Sequence, residues 1–308
     1  MLTYIARRLL QGVVVIVILS FLTFGLMHLS PGDPINILVD EARVTDEQIE
    51  RIRAHWGLDR PFHEQYLTWI GNAIRGDFGE SILRSGQPVW DMVRDAALIT
   101  IQLNVLAMIV SVGIALPIGM IAGLRRYSFF DYSSMVAATL GVALPNFWVG
   151  LMLIILFAGV LDILPSFGLR SWKHFILPVA VLAFAETALL ARLMRSATID
   201  VMTMDFVTVA RAKGLRSLAV VFRHIARNAL LPVVTIIGYR ISFLLSGTIV
   251  VETVFSIPGL GQLFMSSALG LDYQVMQAIV LLFAIAVVIG NLLTDLTYAY
   301  IDPRIRIQ

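Results

Sequence analysis

The chain has 308 residues, 58% hydrophobic and 14% charged, with a formal net charge of +2 and a mean hydropathy of +0.84. A soluble domain of this size could not cover so much apolar surface, which excludes an ordinary soluble fold. Cysteine is absent, which excludes disulfides, thiolate nucleophiles and Cys-based metal sites.

Residues 9–27 form the first apolar run, preceded by Arg7 and Arg8. It is too long for a signal-peptide core and no small-x-small cleavage site follows, so it reads as a retained signal anchor. Pro31-Gly32-Asp33-Pro34 then stops a helix and starts a turn. Residues 35–95 read as an extracytoplasmic segment. Thr45 with Gln48 has the capping-box pattern, Ile49, Ile52 and Trp56 continue at helical spacing, and Gly57 ends the helix. A second amphipathic helix is predicted over 61–74, with Phe62, Tyr66, Trp69 and Ile70 on one face for packing against the membrane domain. Gly76-Asp77-Phe78-Gly79 is a predicted loop.

The second and third apolar runs, 98–124 and 132–161, contain no Asp, Glu, Lys or Arg. They carry Pro117 and Pro145, which free a carbonyl and kink a helix. The fourth run, 174–191, follows Trp172 and Phe175, suited to an aromatic belt, and carries one charge, Glu186. A basic-rich stretch, 192–228, follows. Within it Asp205 is a predicted N-cap, 206–213 a short helix and Gly214 its stop, with Arg211 and Lys213 complementing the helix dipole. At about 12 Å that helix is too short to span a bilayer and suits the membrane plane. Residues 217–230 read as another cytoplasmic helix with Val220, Val221, Ile225 and Ala229 on one face. The fifth run, 229–251, carries Arg240, with Gly238 and Gly247 placed for close helix contact. Residues 252–261 read as an outside turn. The sixth run, 273–294, is uncharged if Asp295 is set at its edge, and Asp302-Pro303-Arg304 stops it.

The expectation is an all-α membrane protein with six transmembrane helices, because strand-type alternation is absent and helices satisfy the backbone in lipid. The short loops on one side concentrate arginine, at Arg125, Arg126, Arg192, Arg195, Arg211 and Arg216 among others. The positive-inside rule therefore places both termini and the 192–228 loop in the cytoplasm.

No P-loop, His-based metal spacing or Gly-x-Ser-x-Gly elbow is present, so no catalytic residue and no metal ligand is assigned. Ser246 has no obvious histidine partner. Glu186, Arg240 and Asp295 fall in or near the bilayer, where ionisable groups are costly and face a bundle interior or water. Glu186 and Arg240 read either as a pathway element or ion pair, or as a polar buttress; Asp295 reads as a snorkelling charge.

In order along the chain stand Tyr4-Ile5-Ala6-Arg7-Arg8, Pro31-Gly32-Asp33-Pro34, Gly57-Leu58-Asp59-Arg60-Pro61, Gly76-Asp77-Phe78-Gly79, Ala210-Arg211-Ala212-Lys213-Gly214, Arg227-Asn228-Ala229-Leu230-Leu231-Pro232, Val251-Glu252-Thr253-Val254-Phe255, Pro258-Gly259-Leu260-Gly261 and Asp302-Pro303-Arg304. In that order and spacing they resemble the permease subunits of bacterial ATP-binding-cassette importers for dipeptides, oligopeptides, glutathione and nickel. The resemblance implies a type I importer permease fold, with residues 1–95 as an N-terminal helix plus extracytoplasmic segment and 96–308 as a five-helix core. Residues 205–232, within the cytoplasmic loop 192–232, look like the family's EAA loop, whose general pattern is Glu-Ala-Ala-x3-Gly-x9-Ile-x-Leu-Pro. Gly214 and Ala210 fit; Thr208 and Val209 replace the glutamate and first alanine; Leu231-Pro232 falls five residues late, as in the peptide branch.

What the resemblance implies for function is a conduit in the bacterial cytoplasmic membrane, with no cofactor of its own. The expected partners are a second related permease, two cytosolic ATP-binding subunits that hold ATP and magnesium, an extracytoplasmic solute-binding protein and membrane lipid, but no nucleic acid. Asp205, Phe206, Val209, Ala210, Arg211, Lys213 and Gly214 are the expected ATPase-coupling residues. Di- and oligopeptides are the expected cargo, with glutathione or nickel as alternatives. An ion-coupled carrier and a non-transporting scaffold are the other classes.

Overall fold

The computed structural model describes residues 2–29, 47, 50–51, 53–54, 59–84, 86–246 and 248–301. The Pro31–Pro34 turn, Gly247, the 302–304 stop and most of the predicted 45–57 helix lie outside them. Of that helix, Glu47, Glu50, Arg51, Arg53 and Ala54 are helical.

In chain order the helices are α1 (Leu2–Leu29), α2 (Phe62–Ile74), α3 (Val89–Leu124), α4 (Phe129–Ala143) and α5 (Asn146–Leu153), which runs on as a π-helical stretch, Ile154–Val160. A 3-10 turn, Trp172–Phe175, leads into α6 (Ile176–Met202). Then come α7 (Asp205–Ala212), α8 (Ser217–Val220), a π-helical Val221–Ala226, and α9 (Arg227–Ile241). The series closes with α10 (Ile249–Phe255), α11 (Leu260–Leu269) and α12 (Tyr273–Ile301). Among the described residues there is no strand, only an isolated bridge between Glu80 and Pro88.

Among the described residues, five helical segments are long and apolar enough to cross a membrane, and two bent pairs raise the possible number to seven. Four of the predicted runs coincide with α1, α3, α6 and α12. The third run is not one helix: the chain breaks at Leu144-Pro145, and the two halves meet at 105°. Pro145 is therefore a breaker, since it forces the preceding residue out of the helical region and Leu144 takes ψ 129. The fifth run also differs. Its helix is continuous with the predicted cytoplasmic helix over Ser217–Ile241 and ends ten residues before Val251. The predicted outside turn at 252–261 is instead the joint of a second bent pair, α10 and α11, at 82°.

The chain divides into two compact units. One gathers Met1–Thr100, Leu245–Ile249 and Pro258–Gln308; the other gathers Ile101–Leu244 and Val250–Ile257.

In the first unit α1 packs on α12. Gly12 makes this approach possible, because a Cβ there would sit 2.5 Å from Val288 Cγ1. The aromatic face expected on α2 packs against α1. Phe62 and Tyr66 meet Phe21 and Phe24 edge-on at 5.2–5.7 Å between ring centres, and Trp69 lies 5.9 Å from Phe24. The Tyr66 hydroxyl also pairs with Ser20 Oγ at 2.9 Å. Asp272 is fully buried. It accepts a hydrogen bond from Ser81 Oγ and others from the backbone N–H of Ile82 and Leu83 at 3.2 and 3.4 Å. Thr100 Oγ1 accepts from Leu260 N at 2.8 Å and satisfies an orphan donor at the start of α11. Val89, Val93, Ala96, Leu260, Val275, Ala278 and Ile279 close the core.

In the second unit α6 is the central element, packed by α4, α5 and α9. Glycines let backbones approach it. A Cβ on Gly119 would lie 2.4 Å from the Ala191 carbonyl oxygen, one on Gly123 2.7 Å from Thr198 Cβ, and one on Gly141 2.7 Å from Ala188 Cβ. Gly238, expected in such a role, faces open space instead. Asn104 on α3 donates to the Leu244 carbonyl at 2.9 Å, covering an acceptor that the end of α9 leaves free.

Candidate functional site: the α7 platform and the Glu186–Arg240 pair

Helix α7 begins one residue earlier in its capping scheme than the sequence suggests. Met204, extended at ψ 145, is the N-cap and supplies no side-chain bond; Asp205 is the first helical residue. Its carboxylate still complements the positive end of the helix. Lys213 is the C-cap, and Gly214 follows at φ +72, donating its N–H to the Arg211 carbonyl at 2.9 Å. A positive φ at that position is why glycine stands there.

The eight residues of α7 are sharply two-sided. Val207 and Ala210 are buried in a core shared with Val201, Val220, Ile225 and Ala229 and with Leu190, Ala191 and Met194 of α6. Phe206 and Val209 are exposed, as are Asp205, Arg211, Lys213 and Gly214. Ala210, expected on the outer contact surface, is turned inward. Val207, which has no role in the sequence-based expectation, fixes α7 to the body together with Ala210.

The outer surface extends further than α7. Met204, Leu215, Leu218 and Phe222 are all exposed, Leu218 at 72% and Phe222 at 68%. Arg211, Lys213, Arg216, Arg223 and Arg227 are interspersed and exposed. Leu215, Leu218 and Phe222 stand at spacings of three and four, which is the helical signal that could have identified them. The expected inner face is occupied by Val220, Ile225 and Ala229, all buried. In the π-helical stretch beneath, Asn228 Nδ2 donates to the His224 carbonyl at 2.6 Å, covering a group the widened turn displaces.

A two-point ion pair holds the neighbouring region together. Arg195 on α6 donates from Nε to one carboxylate oxygen of Asp131 and from Nη2 to the other at 2.8 Å. Asp131 is 1% exposed and also accepts from Tyr127 N at 3.0 Å. In the sequence Arg195 counts only toward the one-sided arginine distribution, and nothing singles out Asp131.

Glu186 on α6 and Arg240 on α9 form an ion pair with Nη1 to Oε1 at 2.9 Å. Their side chains are 28% and 41% exposed, so the pair is neither sealed in protein nor fully open. Asp295 lies in the last helix, and its side chain is outside the described residues.

The chain belongs to the family described as binding-protein-dependent transport system inner membrane component, which matches residues 115–307; the companion N-terminal component of that family matches residues 1–104. It is thus a permease subunit of an ATP-binding-cassette importer.

Among its relatives, the oligopeptide transport system permease protein AppB of Bacillus subtilis is 39% identical over 315 residues, covering 99% of both chains. The glutathione transport system permease protein GsiC of Escherichia coli is 40% identical over 306 residues, again covering 99% of both.

Proposed function

We propose that this chain is one half of a conduit that moves di- and oligopeptides into the bacterial cytoplasm. A second, related permease forms the other half. Two cytosolic ATP-binding subunits supply the work, and an extracytoplasmic solute-binding protein delivers the cargo. The termini and the α7 platform face the cytoplasm, as the arginine distribution indicates.

The observation that carries this reading is the two-sidedness of α7. Val207 and Ala210 anchor it in the core that includes α6, while Phe206 and Val209 face outward beside Arg211 and Lys213. A helix held in this way acts as a rigid lever: a partner that grips its outer face moves α6 with it. The ATP-binding subunits hold ATP and magnesium, and this chain contributes mechanical connection rather than bond chemistry. Peptide cargo is supported by the AppB relative, and glutathione, itself a tripeptide, by GsiC. The Glu186–Arg240 pair serves as a polar brace between α6 and α9.

The test is a Phe206→Asp substitution in the assembled transporter. Membrane insertion should be retained, while the ATP-binding subunits co-purify poorly and peptide uptake falls. Normal uptake by a correctly assembled variant would remove α7 as the coupling element.

A further inference from the structure

The first unit contains a cavity of about 430 Å³ that the platform and the ion pair leave unused. Its polar lining includes Arg84, Gln87, Asp95 and Gln262, and Met92 and Ile99 contribute to its apolar side. The volume lies within the range of small-molecule sites, and a largely apolar wall with a few polar groups is their usual chemistry.

The lining carries one cation, Arg84, and one anion, Asp95, and the two do not pair with each other. The Asp95 carboxylate already accepts from Arg94 at 3.3 Å. The Arg84 guanidinium, by contrast, has no anion among the described residues, and its Nη1 is buried without a hydrogen-bond partner. A half-buried cation lacking a counter-charge is expensive, and a guanidinium is best relieved by a carboxylate that engages it at two points. The residue is also held in place. Arg84 N donates to Ser81 Oγ at 2.8 Å, Ser81 in turn donates to the fully buried Asp272, and the Arg84 carbonyl accepts from Gln87 N at 3.0 Å.

We propose that this cavity is a solute subsite in which Arg84 receives a carboxylate of the transported molecule, the C-terminal carboxylate in the case of a peptide. The assignment rests on the peptide-import reading above. A concave site of this size favours a free solute over a protein surface. With α1 running outward, residues 59–88 and the start of α3 lie on the side where the receptor releases its cargo.

The test uses the complete importer reconstituted in vesicles with its receptor, and two probes: trialanine and trialanine amide, which lacks the carboxylate. The wild type should take up the acid faster than the amide. Arg84→Gln should lower uptake of the acid by about tenfold, the size of a charged hydrogen bond, and leave the amide unchanged. Arg84→Lys, which keeps the charge, should fall between the two. An equal drop for both probes would overturn the subsite, as would a matching loss of affinity for the empty receptor, which would give Arg84 to receptor docking. If wild-type vesicles import neither probe, the peptide reading falls and takes the subsite with it. If uptake is intact and Arg84→Gln leaves the acid-to-amide ratio unchanged, only the subsite falls.

Discussion

Arg195 grips both carboxylate oxygens of Asp131, which ties the first turn of α4 to α6 across 64 residues of sequence. Asp131 is almost fully buried, so removing either partner strands a charge in a poorly solvated place. Arg195→Leu should destabilise the fold by about 3–5 kcal/mol, as for other buried pairs broken on one side, and Asp131→Asn by less, because the Arg195 side chain left behind is 25% exposed. The double variant should be milder than the sum of the two, because neither charge is then left alone. Melting temperatures of the detergent-purified assembly would measure this; additive effects would show that the pair is not coupled.

Gly214 and Val207 separate two kinds of α7 failure. Gly214 has open space around its Cα, so Gly214→Ala meets no clash and carries only the strain of a positive φ, about 1–2 kcal/mol. The assembly should remain intact with mildly reduced uptake. Val207→Asp puts a carboxylate into the core and should abolish accumulation of the protein in membranes, which immunoblotting would reveal.

Asp272 accepts from three donors at once, one hydroxyl and two backbone N–H groups. In Asp272→Asn one acceptor becomes a donor facing donors, a change of about 1–3 kcal/mol for each group left unsatisfied. The loop at 79–88 should loosen first. Limited proteolysis of the purified assembly should cut there faster than in the wild type, with cleavage elsewhere unchanged.

At the Glu186–Arg240 pair, Glu186→Gln and Arg240→Gln should each lower stability more than the double substitution does, because each leaves one unmatched charge within the membrane-spanning part. If the pair only braces α6 and α9, uptake by the double variant should stay near wild type. A transport loss in the double variant that exceeds its stability loss would place the pair on the solute path.

The fold was legible in the sequence where a single local property decides it. Runs of apolar residues set α1, α3, α6 and α12, and the i, i+4 aromatic spacing set α2. The α7 boundaries followed from Gly214 and a change in polarity. What the sequence could not disclose depends on partners far along the chain. Ser81 and Asp272 are 191 positions apart, and no window of residues links them. The inward turn of Ala210 depends on where α6 and α9 lie, not on α7 itself. The sequence separates a helix at 217–230 from the apolar run at 229–251 because polarity changes there, whereas one helix continues through the change with Pro232 inside it, as prolines do where neighbours or widened turns re-satisfy the freed groups. Residues 252–261 read as a turn, since Pro258-Gly259 is a turn signal, but that signal marks only the joint of the bent pair at 249–269.

The glycine contacts at Gly119 and Gly123 have a consequence for motion. With backbone of α6 so close that not even one methyl group would fit, the two helices have no slack in which to slide past or roll over each other. They must travel as a welded strut. Shape change within this unit then has to be taken up at unwound places such as Leu144-Pro145, where the chain already departs from helical geometry and few hydrogen bonds need to break.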